Sequence, residues 1–216
     1  MVKKALFVVG MCAIVSGCAT SNVNYSPAQT NSVGNEVEVA ETFEVVWDRL
    51  IKNLSADFFV INNVEKASRI INVSFNTNNP EQYVDCGITR RTFENVRGKQ
   101  NYEYLAAASA HFTTINSQNG VAFNVYRQTK LDGRANIYVA PSNTGGTVVR
   151  ANTKYALNIS INYTNLAGQP AGVQAAVLDF STKEPYKALQ GEEGNPPVVC
   201  VSKGTLEDKI LRYVRP

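Results

Sequence analysis

Residues 147–163 read TVVRANTKYALNISINY and alternate apolar with polar side chains along their whole length. Such alternation places every second side chain on one face of a β-strand. The apolar face comprises Val149, Ala151, Tyr155, Leu157, Ile159, Ile161 and Tyr163, and Thr153 alone interrupts it. At about 3.3 Å per residue the strand would extend roughly 55 Å, far beyond a usual strand, so it must bend or bulge. A long, bent strand with one apolar face predicts a sheet that wraps around a helix.

Further strands are predicted on both sides of this one. Turn signals such as Asn119-Gly120 and Asp132-Gly133 separate the apolar runs. The predicted strands are 36–40, 58–64, 69–75, 102–115, 121–130, 134–140, 173–180 and 198–201. Residues 88–101 between them carry Arg90, Arg91, Arg97 and Lys99, a pattern that fits either a solvated loop or a contact with anionic lipid.

Two helices are predicted, one near each end of the domain. Thr42 is a suitable N-cap for a helix over residues 43–55, in which Phe43, Val46, Trp47, Leu50 and Leu54 recur at helical spacing. A capping box, Thr205-Leu-Glu-Asp208, begins the second helix. The predicted fold class is therefore α+β: one domain over residues 36–216, with a curved antiparallel sheet packed on an N-terminal and a C-terminal helix.

The first residues have the composition of an export signal. Lys3 and Lys4 precede an apolar stretch that is too short to span a bilayer, as in a signal peptide over residues 1–17. The sequence Val15-Ser-Gly-Cys18 that follows resembles the lipobox of bacterial lipoproteins. This resemblance implies that Cys18 is acylated and that, with Ala19 next to it, the protein is anchored in the outer membrane facing the periplasm. Residues 18–35 are small and polar, and are predicted to be a tether.

The remaining cysteines agree with export. Cys12 leaves with the signal and Cys18 is acylated, so Cys86 and Cys200 are left in an oxidising compartment. Two remaining cysteines in such a compartment predict one disulfide between them. Two buried free thiols, or a bond to another chain, are the alternatives.

The composition favours neither a nucleic-acid-binding protein nor a metalloenzyme. Charged residues make up 18% of the chain, and removal of the signal leaves 19 basic against 18 acidic side chains. The single histidine, His111, lies in an alternating stretch and is interpreted as a half-buried strand residue, while Glu192 and Glu193 fall in a predicted loop. We expect no catalytic residues, no metal site and no cofactor.

The order helix, curved antiparallel sheet, closing helix resembles helix-grip domains. Thr42-Phe-Glu-Val-Val-Trp-Asp-Arg-Leu50, a hairpin and Arg69-Ile-Ile-Asn-Val-Ser-Phe75 are also similar to outer-membrane lipoproteins related to the BamC subunit of the β-barrel assembly machinery. The similarity covers residues 36–80. The chain differs from that family in having one domain where the subunit has two, and a much shorter tether.

Two functions follow as hypotheses. The first is a structural or docking subunit of an envelope assembly or secretion complex, with a protein partner. The second is a module that binds a lipid or hydrophobic ligand in a hollow between helix and sheet. Small residues, namely Ala106, Ala107, Ala108 and Ala110, would line such a hollow. A closed core would instead be filled by Trp47, Phe75 and Tyr155, which are therefore the candidate ligand or core face.

Overall fold

The computed structural model describes residues 19–188 and 195–216, and within these ranges it contains thirteen strands, two α-helices and one short 3-10 helix, Pro80–Gln82. The helices are α1 (Phe43–Ala56) and α2 (Thr205–Arg212). The strands are β1 (Thr20–Ser26), β2 (Glu36–Val39), β3 (Val60–Glu65), β4 (Ile70–Thr77), β5 (Val84–Asp85), β6 (Ile88–Asn95), β7 (Gly98–Leu105), β8 (Ala110–Ile115), β9 (Ala122–Pro141), β10 (Thr147–Asn165), β11 (Pro170–Ser181), β12 (Tyr186–Lys187) and β13 (Val199–Ser202).

The strands form three antiparallel sheets. The largest has the order β11-β10-β9-β4-β3, with β2 paired to the first residues of β10 and β8 paired to the first residues of β9. A second sheet has the order β1-β6-β7, and the smallest joins β12, β13 and β5. The predicted class of one domain built mostly of antiparallel sheet, with two helices, is confirmed for the described residues.

The predicted break between two strands at Asp132-Gly133 is wrong. β9 is continuous and pairs with β10 from Pro141 opposite Thr147 to Phe123 opposite Asn165. Gly133 instead accommodates the ring of Phe75 on the neighbouring strand β4, since a Cβ at this position would lie 2.0 Å from the Phe75 Cε1 atom. The glycine permits close packing within a strand and does not make a turn.

Both helices bury their apolar side chains in one core with the largest sheet. Val46, Trp47, Leu50 and Leu54 of α1 meet Ile71, Val73, Ile137 and Val139 of the sheet, and Leu206 and Ile210 of α2 join the same cluster. Trp47 is therefore a core anchor. The predicted capping box of α2 is not formed: its N-cap is Gly204, and the Thr205 hydroxyl donates to the Gln82 carbonyl oxygen at 2.9 Å.

A buried carboxylate ties α2 to the sheet. Glu207 is fully buried, and its oxygens accept hydrogen bonds from the hydroxyls of Tyr155 at 2.9 Å, Thr182 at 2.7 Å and Ser202 at 3.2 Å. Burial, followed by the nearby Glu207 charge, raises the pKa of Tyr155 well above its usual value, so the phenol stays a donor. Because the three donors belong to different segments, the network fixes how α2 sits on β10.

Two stretches that were predicted to be irregular are strands. Residues 20–26, expected to be part of the tether, form β1 and pair with β6, because Val23 and Tyr25 alternate with outward polar residues. Residues 88–101, interpreted as a solvated loop or a lipid contact, form the hairpin of β6 and β7. Together these strands build the whole second sheet.

The predicted pairing of Cys86 with Cys200 is present, with the two sulfur atoms bonded at 1.98 Å. Cys86 directly follows β5 and Cys200 lies in β13, and these strands pair through Asp85 and Val201. Both cysteines are buried within the core cluster. The bond therefore fastens the segment before β6 to the segment that leads into α2.

We expect the double substitution Cys86→Ser with Cys200→Ser to destabilise the domain. The bond closes a loop of 114 residues, and in the chain-entropy model such a loop stabilises by roughly 4–5 kcal/mol, an upper figure for most real bridges. Urea denaturation of both proteins measures the difference, with reduced wild type as the control. Equal midpoints for the three samples would contradict the structural role of the bond.

Candidate functional site

The candidate site lies between the second sheet and the part of the largest sheet that the helices do not cover. The strands β1, β6 and β7 cross over β8 and the neighbouring residues of β9, β10 and β11. At one side of this contact, the hydroxyls of Ser21 and Thr114 lie 3.0 Å apart. The rings of Tyr104 and Phe112 stack with their centroids 5.6 Å apart. The two sheets therefore face each other as the walls of a cleft.

Tyr25 holds β1 in place over this cleft. Its hydroxyl donates to the Cys86 carbonyl oxygen at 2.8 Å and accepts from the Val199 amide at 3.0 Å. Its own amide donates to the Asn195 side-chain oxygen at 2.7 Å, and the Asn195 amide group donates to the Val23 carbonyl oxygen at 3.1 Å. Burial raises the pKa of Tyr25, so the phenol keeps its proton for the bond to Cys86.

A partly open cavity of about 440 Å³ lies between the two sheets. Its walls are mainly apolar and aromatic, and include Val23, Ala106, Phe112, Val125, Ile161 and Leu178. The side chains of β10 that reach it, Ile159, Ile161 and Tyr163, continue the apolar face predicted from the sequence of that strand. The apolar face of β10 therefore has two roles. Its first half packs against the helices, and its second half lines the cavity.

Two guanidinium groups supply the positive charge of the cavity. Arg127 is partly buried and donates to the carbonyl oxygens of Ala106, at 2.6 Å, and Ala108. Arg91 donates to the Tyr104 hydroxyl at 3.1 Å and lies over the Phe112 ring, 4.6 Å from its centroid. Among residues 19–188 and 195–216, no aspartate or glutamate lines the cavity. Burial lowers the pKa of Arg127 against an opposing effect of Tyr104, and the nearby Arg91 charge adds a smaller decrease.

The three residues of the predicted ligand or core face lie elsewhere, in the closed core. Trp47 packs against Phe43 with ring centroids 5.4 Å apart, Phe75 against Tyr83 at 5.2 Å, and Tyr155 against Phe180 at 5.4 Å. All three are buried. They fill the space between helices and sheet in which the ligand hypothesis had placed a hollow. Of the alanines expected to line that hollow, Ala106 lines the cavity between the sheets, whereas Ala107 is buried in the core.

The other residues singled out in the sequence do not assemble with the cavity. His111 is exposed on β8, rather than half-buried, because its ring stacks on the outward Tyr126 at 4.3 Å. Cys18, Glu192 and Glu193 lie outside the described residues. Within the described ranges, no group of three or more His, Cys, Asp or Glu side chains could hold a metal ion. The expectation that the protein is not an enzyme stays a prediction.

Comparison with protein-family models, with curated proteins and with solved structures finds no match to this chain. Among the helices that the structure describes, none has both the length and the apolar character to cross a membrane.

Sequence reasoning missed Arg127 as a functional candidate, and it considered Arg91 only as part of a solvated loop or of a contact with anionic lipid. The side chain of Arg127 lies on the inward face of β9, the same face as those of Val125 and Thr129. An arginine on the protein surface would project from the opposite face of the strand. A basic residue on the apolar side of an alternating strand was the available signal. The partner sheet, however, could not be inferred, because the strand character of residues 20–26 and 88–95 had not been predicted.

Proposed function

We propose that this protein is a lipoprotein of the bacterial envelope whose domain binds a hydrophobic ligand in the cavity between its two sheets. The observation that carries this proposal is the cavity itself: about 440 Å³ of space with mainly apolar and aromatic walls. Binding sites for small ligands have volumes of about 300–1,000 Å³, mainly apolar walls and few polar groups. The cavity agrees with each of these properties.

The polar groups of the cavity favour a ligand with an apolar body and an acceptor group at one end. Arg127 and Arg91 lie on facing walls, on β9 and β6. A buried guanidinium is stabilised by a negative or strongly accepting partner. We therefore propose an amphiphile, such as a molecule with an acyl chain and an acidic group, with its acceptor group towards Arg127.

The cellular location of the protein is part of the same proposal. The lipobox resemblance supports acylation of Cys18, and Ala19 beside it supports transfer to the outer membrane. Two or three acyl chains anchor a protein stably, whereas one chain binds only marginally. A helix-grip description is proposed for the half of the domain in which α1 and α2 pack on the sheet, supported by their common core.

We expect a fluorescent fatty acid, 11-(dansylamino)undecanoic acid, to bind the full chain at a ratio of one to one. Ile161 projects into the cavity from β10, so Ile161→Trp should occupy its space and weaken binding at least about tenfold, or about 1.4 kcal/mol. Fluorescence titration measures both affinities.

The matched control is Asn162→Trp. Asn162 is adjacent to Ile161 in β10 and lies on the opposite face of the sheet, so this variant should bind the probe as wild type does. Probe binding that is absent from wild type, or weakened equally by both substitutions, would contradict a ligand site in the cavity.

A second candidate is the docking role, supported by the free edge of β11. β11 ends the strand order of the largest sheet, and no other described strand pairs with its outer edge. Residues 166–178 contain no charged side chain, and Val173 is 68% exposed. Exposed edge strands are usually protected by charges, because an apolar edge pairs readily with a strand of another chain. We propose that a docking partner would add a strand here.

A photo-crosslinking residue at position 177, on this edge, tests the docking role in intact envelopes. We expect a single crosslinked product of defined mass, reduced several-fold by Val173→Lys, because a lysine opposes strand addition. Val45→Lys, on the exposed side of α1, should leave the product unchanged. Equal crosslinking from position 143, in the turn between β9 and β10, would argue against docking at β11.

A further inference from the structure

Three turns lie together at one end of the domain. The turn at 95–98 joins β6 to β7 and lies beside the start of β1, since Thr20 pairs with Glu94. The loop at 116–121 joins β8 to β9, and the turn at 166–169 joins β10 to β11. These last two are neighbours because Phe123 pairs with Asn165. The contact between Ser21 and Thr114 joins the two sheets near this end. We call these three turns the N-terminal tips, because β1 begins among them.

Each of the N-terminal tips exposes an aliphatic side chain. Val96 is 80% exposed, Leu166 62% and Val121 45%. Arg97 is the one charged residue in the three turns.

The turns at the other end of the largest sheet have a different composition. They are residues 142–146, between β9 and β10, and residues 66–69, which precede the pairing of Ile70 with Tyr138. Neither contains an apolar side chain larger than alanine. The two ends of the same strands therefore present different surfaces: one is aliphatic with a single basic residue, and the other is polar.

The position of Cys18 identifies what the N-terminal tips meet. β1 begins at Thr20, two positions after the cysteine proposed to carry the acyl chains, with only Ala19 between them. Two residues extend at most about 7 Å, whereas the predicted tether of residues 18–35 would have given the domain about 20–25 Å of freedom. Pairing of β1 with β6 removes that freedom, so an anchor attached at position 18 would hold the tips close to the membrane.

We infer that the N-terminal tips rest on the membrane surface, with Val96, Val121 and Leu166 in its interfacial layer. This inference rests on the proposed acylation of Cys18. Exposed aliphatic side chains at a bilayer interface gain from burial among the acyl chains, and Arg97 faces the phosphate groups of the lipids. The long strands β9 and β10 then extend away from the membrane, and the cavity is held at its surface.

Site-specific labelling of the acylated full chain in vesicles of phosphatidylethanolamine and phosphatidylglycerol tests the orientation. Cys86 and Cys200 are bonded to each other, so a cysteine introduced at position 166 or 143 is the one reactive thiol of the acylated protein. Each variant, Leu166→Cys or Asn143→Cys, is labelled with a nitrobenzoxadiazole dye. Lipids with a nitroxide on the acyl chain should quench the label at 166 at least threefold more than the matched label at 143, which lies at the opposite end of β10.

The outcomes separate this inference from the proposal on which it rests. Mass spectrometry of the purified chain first establishes whether Cys18 carries the lipid. If the lipid is present, equal quenching at 166 and 143 contradicts the proposed orientation but not the acylation of Cys18. Without the lipid, the anchor and the orientation both fail. Strong quenching at position 166, together with a third label at Val96→Cys that is quenched to a similar extent, supports the inference.

Discussion

The length of β9 and β10 is the constraint on which the rest of the molecule depends. β9 has 20 residues and α1 has 14, which correspond to contour lengths of about 66 Å and 21 Å. The strands carry inward apolar side chains over nearly their full length, so the helices cover one part of this surface and leave another part exposed. Because exposed apolar surface of that size is costly in water, a second layer must cover it, and β1, β6 and β7 form that layer.

The helices and the second sheet differ in how completely they fill the space next to the largest sheet. Under the helices, Trp47, Phe75 and Tyr155 close the core, and Glu207 and the disulfide fix the segments around it. Under the second sheet, a gap remains between the two sheets. The rings of Tyr104 and Phe112 stack at one side of this gap, and the Tyr25 hydroxyl accepts a hydrogen bond from the Val199 amide at the other. The cavity between these contacts is a consequence of packing two sheets at a distance that their side chains do not fill.

The sequence predicted the elements whose pattern is local. The alternation in β10, the helical spacing around Trp47 and the even number of cysteines each led to a feature that the structure contains. The errors concern residues whose role depends on a distant partner. Gly133 looked like part of a turn because its partner Phe75 is remote in sequence. β1 looked like a tether because its outward side chains are polar and its partner residues in β6 are 62 to 74 positions away.

The candidate site was the least predictable part for the same reason. The cavity is built from strands that meet only after β1 and β6 have paired, so no single stretch of sequence contains it. The hypothesis of a hydrophobic-ligand module placed its hollow between helix and sheet. The structure fills that space and opens another, which includes Ala106 but none of the three aromatic residues that had been selected.

Native mass spectrometry of the full chain released from membranes in mild detergent tests most directly whether the cavity holds a ligand. We expect a mass above that of the covalent protein by one small molecule, which disappears after organic extraction and returns on incubation with a lipid extract of the same membranes. A folded protein whose mass is that of the covalent chain alone, before extraction and after incubation with excess lipid extract, would contradict this expectation.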